Sequence, residues 1–103
     1  MPARSEWTTS LKALADDSRL RIVAALVKRP LNVNALSEAL ELSQYNVSKH
    51  LKILREAGLV DSEIKGSHRE YFIAEPFSKQ LARNRNVLDL GCCTFRFDRL
   101  PKK

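Results

Sequence analysis

Between Ser43 and Gly58 the apolar residues Val47, Leu51 and Leu54 recur at spacings of four and three, the rhythm that lines one face of an α-helix. Every other early position there is polar or exposed in type: Gln44, Tyr45, Asn46, Ser48, Lys49 and Lys52. Ser43 precedes the first periodic residue and can cap the helix start, while Gly58 follows the last charged turn as a left-handed stop. The preceding stretch from Leu36 reads as a short helix and a tight turn. Beyond Gly58 the rhythm changes to alternation, with Val60 and Ile64 before a Lys65-Gly66-Ser67 turn and Tyr71 and Ile73 after it, which predicts a two-stranded hairpin. A hairpin alone is marginal, so this one must pack on the helices.

Upstream, Trp7, Leu11 and Leu14 fall on one helical stripe, and Leu20, Ile22, Val23, Leu26 and Val27 make a second helix that Pro30 ends. Asp17 or Ser18 can cap that helix. Asn32 can cap the next, with Leu31 and Leu36 set as a hydrophobic staple. Downstream, Phe77 to Arg85 suffices only for a short helix. The segment from Asn86 to Asp98 reads as extended, with Val87, Cys93, Phe95 and Phe97 on one side and Leu88, Leu90 and Cys92 on the other. Such a segment must cover its apolar faces against the hairpin's edge, the amino-terminal helix or a second subunit.

The polar face of the 43–57 helix carries amides, hydroxyls and ammonium groups, the side chains that base edges and phosphates accept as partners. DNA binding is the leading reading, against an ordinary amphipathic helix with a solvated face. The hairpin tip offers Lys65, His68 and Arg69 to the phosphate backbone or minor groove. Against this, Asp61, Glu63 and Glu70 outnumber Lys65 and Arg69 over the strands, as suits a purely structural hairpin.

Two segments, Leu11-Lys-Ala-Leu-Ala-Asp-Asp-Ser-Arg-Leu-Arg-Ile-Val and Val47-Ser-Lys-His-Leu-Lys-Ile-Leu-Arg-Glu-Ala-Gly-Leu-Val, resemble the ArsR/SmtB family of dimeric bacterial winged-helix repressors. The likeness runs from about Leu11 to Ala74. It implies a mainly α fold with a small β wing, a homodimer bound to double-stranded DNA, the 43–57 helix in the major groove, and a wing tip at 65–69. His50, inside the family's Ser-Lys-His-Leu motif, then supports packing near the DNA face and is not a metal ligand. Arg19 and Arg21, which could touch phosphate, read as scaffold because their helix precedes the helix-turn-helix. Three departures stand out. Glu41 occupies a turn position where the family commonly has glycine, at a cost of about 1 kcal/mol if the left-handed conformation is kept, so a differently shaped turn is expected. The extended tail replaces the family's usual long last helix. The early third-helix cysteines of arsenic sensors have no counterpart in Leu31-Asn32-Val33-Asn34-Ala35, and the tail lacks the histidines of zinc sensors.

Composition adds two points. A chain of 103 residues with 44% hydrophobic content supports one small core that dimerisation would help stabilise. The net charge of +6 sits unevenly: residues 1–78, read as the winged-helix domain, hold 11 basic and 10 acidic side chains, whereas the 79–103 tail holds 7 and 2. Lys79, Arg83, Arg85, Arg96 and Arg99 could add phosphate contacts or simply solubilise. Cys92 and Cys93 are the only cysteines. They are either packing residues or a thiol sensor that binds a thiophilic metal or metalloid, or oxidises, and so releases DNA. In a regular strand the two point to opposite faces, so a shared ion requires Gly91 to break the extension. No apolar leader, membrane-length run or catalytic set is present in these residues, so a cytoplasmic regulator and no enzyme is expected. A thiol redox or metal-binding protein, and a protein-interaction module on the same scaffold, are the other function classes.

Overall fold

The computed structural model describes residues 4–75, 77–83, 87–89 and 94–96. The chain begins with α1 (Arg4–Leu14) and α2 (Asp17–Lys28), passes through a short strand β1 (Leu31–Asn32), and enters α3 (Val33–Leu40) and α4 (Gln44–Glu56). Strands β2 (Val60–Lys65) and β3 (His68–Ile73) follow, then α5 (Phe77–Arg83), β4 (Val87–Asp89) and β5 (Thr94–Arg96). This is the mainly helical fold with a small sheet that the hydrophobic rhythm predicts.

The apolar stripes meet in one core. Ile22, Val23 and Leu26 of α2, Leu36 of α3, and Val47, Leu51 and Leu54 of α4 are buried together with Ala13, Leu14, Leu59, Val60, Phe77 and Leu81. Val47, Leu51 and Leu54 have no exposed surface at all, which fixes the rotation of α4 and turns its opposite side outward. Phe77 and Leu81 bring α5 into the same core, so this helix bridges the boundary at 78.

The sheet has the order β1-β3-β2, antiparallel throughout. In the hairpin Val60 faces Ile73 and Lys65 faces His68, which leaves Gly66 and Ser67 as the turn. Gly66 adopts φ +63, where a side chain is disfavoured. β1 adds an edge the alternation did not foretell, with Leu31 opposite Tyr71 and Asn32 opposite Glu70.

Helix ends follow local chemistry, with one correction. The cap of α2 is Asp16, not Asp17 or Ser18: its extended backbone (φ −155, ψ 131) lets its carboxylate accept from the Arg19 N–H at 3.1 Å. Asn32 caps α3 as expected, accepting from the Ala35 N–H at 2.8 Å. In the tail the described residues 87–89 and 94–96 are extended as expected, but their pairing was not foreseen. The tail's extended segment divides into β4 and β5, which pair with each other in antiparallel register, Val87 opposite Arg96 and Asp89 opposite Thr94. Cys92 and Cys93 lie outside the described residues. Among those described, no helix is long and apolar enough to cross a membrane.

Candidate nucleic-acid interface

The outward side of α4 is built from its start. Ser43, with φ −66 and ψ 152, accepts from the Asn46 N–H at 3.1 Å through its hydroxyl and so caps the helix. With the core stripe fixed, Gln44, Tyr45, Asn46, Ser48, Lys49 and Lys52 are all exposed. Tyr45 is 77% exposed. The helix ends where anticipated: Gly58 at φ +80 reverses the chain, and the Leu59 N–H donates to the Leu54 carbonyl.

The turn before α4 keeps its left-handed shape despite lacking glycine, contrary to the expectation of a different turn. Glu41 adopts φ 56 and ψ 44, and its N–H donates to the Ser37 carbonyl. Ser37 holds the turn from both ends, since the Leu42 N–H also donates to its carbonyl and its hydroxyl donates to the Leu42 carbonyl.

Behind this face, long-range hydrogen bonds position the reading helix. Arg19 on α2 donates from Nε to the Ala13 carbonyl at 2.6 Å and from Nη2 to the Lys12 carbonyl at 3.4 Å, capturing the end of α1. Its Nη1 lies 3.2 Å from Nδ1 of His50 on α4. A guanidinium only donates, so His50 Nδ1 accepts and the ring is neutral with its proton on Nε2. Burial, chiefly, and the Arg19 and Lys49 charges hold His50 below its ordinary value against the opposite pull of Asp16. Burial raises Asp16, but the Arg19 N–H, the Arg19 charge, His50 once it is protonated at low pH, and the Ser18 N–H outweigh it, so its carboxyl is held low. Arg21 donates from Nη2 to the Leu40 carbonyl at 2.7 Å and caps α3. Both arginines are thus scaffold, and His50 packs as its motif implied. Their partners lie too far away in sequence for periodicity to reveal.

The hairpin tip presents Lys65, His68 and Arg69 to solvent. Lys65 pairs with Glu63 at 3.3 Å, an exposed contact worth little, and Arg69 Nη1 donates to the Ser62 hydroxyl at 3.1 Å. At the base of the hairpin Arg55 of α4 lies 3.6 Å from Asp61 of β2. Among the described residues no group of three histidine, cysteine or acidic side chains could hold a metal ion.

Residues 16–62 match the family model described as bacterial regulatory protein, arsR family. Over 92 residues the chain is 35% identical to the arsenical resistance operon repressor of Bacillus subtilis, covering 88% of this chain and 83% of the repressor. The chain belongs to the ArsR family. Within that family it is also 48% identical over 52 residues to the transcriptional activator HlyU of Vibrio cholerae, a match spanning 48% of the activator's length. The solved structure of HlyU superposes on this ArsR-family chain with a TM-score of 0.70 at 31% identity, over 86% of this chain and 95% of HlyU. A homodimeric winged helix-turn-helix DNA-binding domain from Mycobacterium bovis superposes with a TM-score of 0.71 at 27% identity, over 79% of this chain and 76% of that one. The fold of this ArsR-family protein is a winged helix-turn-helix, in which β2 and β3 are the wing. The named relatives are regulators of transcription.

Proposed function

We propose that this ArsR-family chain is a cytoplasmic transcriptional repressor that binds double-stranded operator DNA as a homodimer. α4 enters the major groove, and the wing tip at Lys65, His68 and Arg69 meets the backbone. The observation that carries the reading is the division of α4, with Val47, Leu51 and Leu54 sealed in the core and a continuous polar face turned to solvent. On that face Gln44, Tyr45 and Asn46 reach base edges. Ser43, Ser48, Lys49 and Lys52 meet phosphates, which fix the register of the helix on the duplex. Supporting the dimer, a structural neighbour is itself described as a homodimeric DNA-binding domain.

Salt titration tests the division of labour. Each phosphate a lysine neutralises contributes roughly 0.9 to the slope of log affinity against log salt, so one lysine lost from each protomer should flatten it by about 2. Lys49→Ala and Lys52→Ala should show that flattening with unchanged sequence preference. Alanine at Gln44, Tyr45 or Asn46 should instead alter preference and leave the slope in place. A wild-type slope in both lysine variants, or unaltered preference in all three others, removes the assignment.

A further inference from the structure

Asn34, the second residue of α3, lies outside the reading helix, yet its Oδ1 accepts a hydrogen bond from Nε2 of Gln44, the first residue of α4. Both side chains are exposed. An exposed amide pair exchanges one set of hydrogen bonds for water's equivalent, so it adds little to stability. What it does add is orientation. With one Nε2 hydrogen held by Asn34, Gln44 retains a second Nε2 hydrogen and a carbonyl Oε1 on a side chain biased toward one orientation, a bias that strengthens when bound DNA excludes water from the pair. One donor and one acceptor side by side match the N7 acceptor and N6 donor that adenine shows in the major groove.

We propose that Asn34 is a positioning residue which fixes the Gln44 amide to read an adenine, so that one base of each half-site is specified by a pair of residues on two helices. The inference rests on α4 being the DNA-reading helix.

Selection of bound duplexes from a randomised pool, using the full chain, tests this. Gln44→Ala should lose an adenine preference at one base pair per half-site. Asn34→Ala should relax the same base pair, by at least about fivefold in discrimination, and no other. Asn34→Asp keeps the accepting oxygen, so it should retain the adenine while weakening binding to every sequence through its added negative charge. A merely structural Asn34 would instead weaken binding to every sequence in Asn34→Ala and leave the preference at that base pair intact. If Gln44→Ala relaxes a position that Asn34→Ala leaves intact, or if the lost base is not adenine, the pairing is wrong while the reading of α4 survives. Should the wild-type chain select no sequence, both fall.

Discussion

Glu41→Gly, read against Glu41→Ala, isolates the backbone contribution at the turn of the helix-turn-helix, since both changes remove the same side-chain interactions. Glu41 holds φ 56 and ψ 44, a conformation that brings Cβ against the following carbonyl and costs an L-residue about 1 to 2 kcal/mol. Glycine removes that cost but loses about 0.5 to 1 kcal/mol through the greater freedom of the unfolded chain. Relative to alanine at the same position the net gain runs from about 0 to 1.5 kcal/mol, and its midpoint of about 0.75 kcal/mol raises the melting temperature of a domain of this size by roughly 3 to 6 °C. The backbone bond from Glu41 to the Ser37 carbonyl survives the change, and the exposed side chain uncovers no core when it is cut away. Circular dichroism melts at matched protein concentration measure the shift, since a dimer's midpoint moves with concentration. Glu41→Ala is the control, because it keeps Cβ and should gain nothing. A melting point for Glu41→Gly no higher than that of Glu41→Ala refutes the backbone explanation.

Other outcomes are equally definite. His50 is held below its ordinary 6.5, first by burial and then by Arg19 and Lys49 against the pull of Asp16, so the unfolded chain takes up the proton first as pH falls. Stability should be full above 6.5 and decline as pH falls below it, and His50→Gln, which can still accept from Arg19, should lose that component in pH-dependent denaturant titrations. An unchanged pH profile in His50→Gln would contradict the neutral ring. If DNA release is triggered through thiols, arsenite, zinc or peroxide should release the wild-type protein in a gel shift and spare the Cys92→Ser, Cys93→Ser double variant. Equal release from both refutes the sensor reading.

What could be read from the sequence was whatever neighbouring residues decide together. The α4 stripe of Val47, Leu51 and Leu54, the Ser43 and Asn32 caps, the Gly58 stop and the wing turn all depend on spacings of a few residues. The α2 cap was less legible because Asp16, Asp17 and Ser18 share the needed chemistry, and only backbone conformation selects among them. β1 has two residues, too few for any alternation, and becomes a strand only because β3 offers an edge. The links from Arg19 to His50, Arg21 to Leu40 and Gln44 to Asn34 span 31, 19 and 10 residues and exist only after the helices pack. In the tail, apolar residues on both faces signalled extension but gave no register, so the pairing of β4 with β5 was hidden.

The most direct test of α4 as the base reader is methylation interference on a genomic fragment selected by the wild-type protein. Guanine N7 lies in the major groove, so methylation there should block binding in two symmetric clusters, one per half-site of a homodimer. Interference confined to the minor groove, a single unpaired cluster, or a pattern untouched by alanine at Gln44, Tyr45 and Asn46 would contradict it.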